Sequence, residues 1–126
     1  MYSDKPNFVD HNNIVMVHAD ETTSSAYVDI TPVAHNLYGN VHGGLFYSMA
    51  DNVAGMCARG AGFNHVTLQG SMNYVRGASE GRIIANGHVA HRGRTTCVVN
   101  VEIKHENGKV LATGVFTMFN VGPSEA

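Results

Sequence analysis

A chain of 126 residues has room for one ordinary hydrophobic core and not two, and 44% hydrophobic against 14% charged residues describes a packed domain rather than a disordered one. A formal charge of -2, with no run of lysine or arginine, argues against a nucleic-acid backbone as partner. No apolar stretch approaches the ~20 residues that cross a bilayer. Residues 1–13 are polar and lack the basic start and apolar block of a signal peptide, so the expected location is the cytoplasm.

Residues 14–19 and 24–31 are short β-prone runs around the polar Asp20-Glu21-Thr22-Thr23, which predicts a hairpin that Pro32 ends. Over 42–58 the residues Leu45, Phe46, Met49, Ala50, Val53, Met56 and Cys57 recur at spacings of three and four, the pattern of a helix with one buried stripe. Gly55 falls in that stripe, where close packing on a sheet would explain a residue that costs about 1 kcal/mol against alanine. Gly60 and Gly62 are expected to close the helix. Period-two alternation then predicts strands over 65–76, 82–91, 94–106 and 109–121, with turns at 77–81, 92–93 and Asn107-Gly108, as an antiparallel meander following the helix. The tail, 122–126, is expected to fray. Cys57 and Cys97 lie in apolar patterning without ligand spacing and read as buried free thiols. One domain over 1–126 results, of α+β class: a curved antiparallel sheet around one long helix.

The most informative segment is Asn36-Leu37-Tyr38-Gly39-Asn40-Val41-His42-Gly43-Gly44, followed by Asp51 nine residues after the histidine. A glycine pair at a helix start lets backbone amides approach a small anionic centre. An aspartate within the apolar run is costly unless a partner or a reaction uses it. Asn36, His42-Gly43-Gly44 and Asp51-Asn52 at these spacings resemble the motif of hotdog-fold acyl-CoA thioesterases of the PaaI type. Asn73-Tyr74-Val75-Arg76-Gly77-Ala78, Gly81, Arg92-Gly93-Arg94 and Gly108-Lys109-Val110-Leu111-Ala112 fall where that family has its strand and turn signatures.

A thioester hydrolase needs an oxyanion donor and a group that delivers water. With the helix beginning near His42, Gly43 offers an unpaired amide at the positive end of the helix dipole. Asp51 is the expected general base, or a nucleophile through a mixed anhydride; the sequence leaves both open. Asp51 lies eight residues past Gly43, about 12 Å along a helix, so the two can meet only across two copies, giving two equivalent sites per dimer. The resemblance implies the same arrangement. Asn36 is expected to bond the attacking water or the carboxylate, and His42 to support the pocket. The resemblance adds Thr67, on the first strand after the helix. Arg92 and Arg94, flanking Gly93, are candidates for the coenzyme A phosphates, with Arg76 and His91 weaker ones. Gly44 and Phe46 are placed at the substrate, and Phe46, Tyr47, Met49 and Met56 are candidates for an acyl tunnel. No histidine, cysteine or carboxylate cluster has metal-ligand spacing, so no metal is expected, and no cofactor beyond the coenzyme A of the substrate. The expected partners are a small acyl-CoA and further copies of the chain, as a dimer that pairs again into a tetramer. A hydratase would carry an Asp-x-Asn-Pro-x-His segment, which is absent. A non-catalytic acyl-CoA-binding or regulatory module would keep Arg92 and Arg94 without needing Asn36 and Asp51 together.

Overall fold

The computed structural model describes residues 7–124, so parts of the expected polar N-terminus and frayed tail lie outside the described residues. The chain runs through helix α1 (Phe8–His11), strands β1 (Val15–Ala19) and β2 (Thr23–Asp29), a 3-10 turn (Pro32–Ala34) and helix α2 (Gly43–Arg59). Strands β3 (Phe63–Tyr74), β4 (Arg82–Arg92), β5 (Thr96–His105) and β6 (Val110–Pro123) follow. The sequence pattern did not indicate α1 or the 3-10 turn. Both are single turns, too short to show a period, and α1 is held by Asn7, whose Oδ1 accepts from the Asp10 amide at 3.1 Å.

All strand pairs are antiparallel, in the order β1-β2-β4-β5-β6-β3. The expected meander is therefore corrected at one place: β3 does not pair with β4 but lies at the far edge beside β6. The connection 75–81 is long enough to cross the end of the sheet, and it is fastened there. Val75 and Arg76 amides donate to Leu111 O, Val41 N donates to Ala78 O, and Ile30 N to Gly81 O. Helix α2 packs against every strand of the sheet. Its buried positions are Leu45, Phe46, Met49, Ala50, Val53, Ala54, Cys57 and Ala58, which meet Ala26, Val28, Ile83, Ala85, Val99 and Phe116 from the strands. Met49, at 0% exposure, is a core residue, while Phe46, at 3%, packs in the core and also borders the depression at Gly43. Tyr47 stacks edge-on against Phe116 and donates its hydroxyl to Gly70 O.

Gly55 also needs correction. It sits half-exposed on the flank of α2, and a Cβ there would meet only the flexible tip of Met118 at 3.4 Å, so sheet packing does not demand glycine. Gly60 does carry a packing constraint. Its Cβ would run into the backbone of Asp20 and Glu21, because the end of α2 docks directly on the β1–β2 turn. The tail is less free than expected, since β6 extends to Pro123 and the Ser124 amide donates to Gly62 O at 3.0 Å. Cys57 and Cys97 are fully buried free thiols, and burial pushes both of them up from the ordinary thiol range. No helix among the described residues is long and apolar enough to cross a membrane.

Candidate active site

The loop before α2 is built by Asn36. Its Oδ1 accepts from the Tyr38 and Asn40 amides at 2.9 and 3.1 Å, while its own amide donates to Asn40 O at 2.7 Å. The carbonyl end of the side chain is thus spent on the turn, and Asn36 does not touch Asp51 within one copy. Its NH2 takes part in neither bond, and the residue lines the same 350 Å³ depression as Gly43, Phe46, Tyr74 and Arg76. Leu37 and Tyr38 stand at the tip of this turn, 99% and 87% exposed.

His42 caps α2. Its backbone is extended, and its Nδ1 accepts the Gly44 amide at 2.8 Å, which in the neutral ring leaves the proton on Nε2. The cap explains Gly44, because a Cβ there would approach the imidazole to 3.0 Å. It also separates the two glycines by function. Gly44 has its donor engaged, whereas Gly43, at the first helical position, has an N–H with no intrahelical acceptor. The Gly43 carbonyl accepts from the Tyr74 hydroxyl at 3.2 Å, tying the start of α2 to β3.

Asp51 is half-buried on the flank of α2 and its Oδ1 accepts from the Thr67 hydroxyl at 2.5 Å. The structure therefore brings together Asp51 and Thr67, and separately Asn36, Gly43 and Phe46. Gly43 and Asp51 are eight residues apart on α2, about 12 Å along its axis.

The arginines fall differently from the expectation. Arg92 is committed to the protein: Nη1 donates to Ala58 O at 2.8 Å, and Nη2 donates to Glu21 O and Cys57 O at 2.8 and 3.0 Å. It covers the Ala58 and Cys57 carbonyls at the end of α2, the second of which also accepts from the Gly60 amide, and pins the β1–β2 turn to them, which commits its guanidinium to the fold rather than to a phosphate. Arg92→Met is expected to cost about 2–4 kcal/mol of stability, measured by urea unfolding, with KM for any thioester substrate unchanged. A raised KM with unaltered stability would restore the phosphate role. Gly93 closes the β4–β5 turn through its amide to Thr96 O, and Arg94 is exposed beside it. Arg76 is the cation that reaches Gly43. It lines the Gly43 depression and a second one of 440 Å³ with His105 and Lys109, where the carboxylate Glu80 also lies. Strand length hid this in the sequence, because it takes the folded chain to bring the end of β3 back to the start of α2, through the Tyr74–Gly43 hydrogen bond and the Phe46–Tyr74 ring contact. No cluster of three or more metal-binding side chains converges among the described residues.

A helix cradled by a six-stranded antiparallel sheet, with a glycine amide free at the helix start and a carboxylate on its flank, defines a hotdog-fold enzyme. The chain belongs to the thioesterase superfamily, whose family model matches residues 38–112. It is similar to a Streptococcus pneumoniae TIGR4 protein described as a hypothetical thioesterase and solved with coenzyme A. Identity is 30%, with 90% of this chain and 89% of that one covered and a TM-score of 0.85. That protein has also been solved with an aspartate and, separately, a threonine replaced by alanine, the two having the same sixteen-residue separation as Asp51 and Thr67. The smu.793 protein of Streptococcus mutans UA159, bound to acetyl CoA, is 29% identical over 98% of each chain, with a TM-score of 0.88. The PaaI protein from the phenylacetic acid degradation operon of E. coli shares the fold at a TM-score of 0.87 and 21% identity, covering 92% of this chain and 85% of that one.

Proposed function

We propose that this chain hydrolyses acyl-CoA thioesters at two equivalent sites, each made from Gly43 of one copy and Asp51 of another. The observation that carries the reading is the placement of Asp51: a carboxylate on the open flank of α2, aimed by Thr67 and about 12 Å from the oxyanion donor of its own chain. The same flank presents Gly44, Ser48 and Gly55, small side chains that let a second α2 lie close. The outer edge of β3 has no strand partner among the described residues, and Val66 and Leu68 on it are 52% and 62% exposed. Leu37 and Tyr38 add apolar surface that a second copy would cover.

In this site the thioester carbonyl oxygen accepts from the Gly43 N–H. Asp51 takes a proton from water, the resulting hydroxide adds to the carbonyl carbon, and the negative charge builds on the oxygen held at the helix start. Collapse breaks the C–S bond, and the coenzyme A thiolate leaves and is protonated. Direct attack by Asp51, followed by hydrolysis of the anhydride, uses the same groups. The Asn36 NH2 is positioned to donate to water or to the carbonyl, Thr67 fixes the carboxylate rotamer, and His42 holds the cap. Arg76 and Lys109 take the phosphate contacts in place of Arg92. No cofactor beyond coenzyme A itself is required.

The supporting chemistry in relatives is coenzyme A or acetyl CoA bound to the two streptococcal proteins. The test is release of free coenzyme A from a panel of aliphatic and aromatic thioesters. Turnover of at least one of them is expected; binding of the panel without turnover would make the chain an acyl-CoA-binding module.

A further inference from the structure

The crossing over 75–81, which carries Arg76 from the end of β3 towards β4, is held by its carbonyls. Four in succession accept, each from a different segment: Ala78 O from the Val41 amide at 2.8 Å, Ser79 O from His35 Nε2 at 2.8 Å, Glu80 O from His105 Nε2 at 2.8 Å and Gly81 O from the Ile30 amide at 2.9 Å. A carbonyl only accepts, so both imidazoles carry a proton on Nε2. His105 uses its second nitrogen as well, Nδ1 accepting from the Asn107 amide at 3.1 Å, and Gly81 makes room for the ring, since a Cβ there would stand 2.7 Å from Nε2.

Two of the four bonds join the crossing to the loop before α2. His35 and Val41 face each other as an antiparallel bridge that closes the Asn36 turn, and both reach over to neighbouring carbonyls of the crossing. The Arg76 amide is fixed on Leu111 O at 3.0 Å, but the next residue is the exposed Gly77, where an added Cβ would meet nothing nearer than Asn40 at 3.5 Å. The Arg76 backbone is therefore held on its amide side by β6 and on its carbonyl side by the clamp over 78–81.

We infer that His35 is a positioning residue for the phosphate end of the substrate: by donating to Ser79 O it locks the Asn36 turn and the crossing into one unit and keeps Arg76 at the Gly43 depression. The inference rests on the thioesterase reading, with Arg76 as a phosphate contact, and deepens it. A guanidinium that must be ordered as the ligand binds loses affinity to that ordering, whereas one held in place beforehand does not. His35 lines neither depression at Arg76, so it acts through the crossing and not by touching coenzyme A. His105 borders the depression beside Lys109, where a direct contact and a positioning role would mix, which makes His35 the residue to test.

The experiment measures kcat and KM for the best thioester of the panel in two forms, the coenzyme A thioester and the same acyl group on pantetheine, which lacks the phosphates and the nucleotide. His35→Leu is expected to raise KM for the coenzyme A form about three- to tenfold, the equivalent of one hydrogen bond, with kcat and the pantetheine KM within about twofold of the parent. Arg76→Met sets the scale, at about tenfold or more for a lost hydrogen bond to a charged group. His35→Gln should restore the parent KM, because its amide nitrogen can stand where Nε2 stood. In the Arg76→Met background His35→Leu should raise KM no further, the mark of a residue that works through the arginine. If His35→Leu fails to fold, His35→Asn, whose amide is too short to reach Ser79 O, takes its place with the same expected KM. A KM increase shared equally by both thioesters, one that multiplies with that of Arg76→Met, or no increase at all would overturn the inference while leaving the thioesterase reading intact. A coenzyme A KM unmoved by Arg76→Met would remove the phosphate contact and the positioning role together. A parent that hydrolyses neither form would overturn the thioesterase reading, and the positioning role with it.

Discussion

Asp51→Asn is expected to lower kcat by about 10²–10⁴-fold, the range for loss of a positioned general base, with thermal unfolding and oligomeric state unchanged. The substitution keeps the side chain's size and its ability to accept from Thr67, so the bond that orients position 51 survives while the basic oxygen is lost. Because the base acts only as the water attacks, kcat and kcat/KM should fall together. Thr67→Val removes the hydroxyl without the volume. A hydrogen bond to a charged group contributes about 1.5–3 kcal/mol, so roughly a tenfold to hundredfold loss should follow if the bond holds the reactive rotamer. Multiple turnovers in heavy-oxygen water reveal an anhydride whose Asp51 carbonyl is the one attacked: the label then enters the Asp51 carboxylate, which deprotonation of water by Asp51 never labels. Turnover undiminished in Asp51→Asn would remove the carboxylate from the mechanism altogether.

Helix α2 was legible from the sequence because its buried residues repeat every three to four positions, and β4, β5 and β6 because they alternate. What periodicity does not carry is which strand neighbours which. Placing β3 beside β6 follows from the 75–81 crossing and its bonds to Leu111, Val41 and Ile30, contacts between residues far apart in the chain. At the site, the adjacency of Gly43 to the start of α2 could be read locally, since a helix start is a local event. The opposite fates of Arg92 and Arg76 could not. Both sit at strand ends near glycines, and only the folded chain shows that one faces the carbonyls of Ala58 and Cys57 while the other opens onto Gly43.

The proposed sharing of each site between two copies makes a sharper demand than any single substitution. Gly43→Pro deletes the oxyanion donor with little disturbance: proline is favoured at the first helical position, and His42 before it already has the extended backbone that a residue preceding proline adopts. Loss of one oxyanion donor is expected to lower kcat about 10²–10³-fold. If each site takes Gly43 from one copy and Asp51 from the other, a hybrid of Gly43→Pro and Asp51→Asn chains contains one site with both defects and one with neither. Two inactive variants, co-expressed with different tags at equal amounts, should then recover about a quarter of the parent activity, half of the dimers being hybrids with one working site in two. Isolating the doubly tagged species should raise this to about half. A site contained within one chain predicts no recovery in either sample, because every chain in the mixture is then defective, so the recovered fraction itself decides whether Asp51 acts across the helix pair.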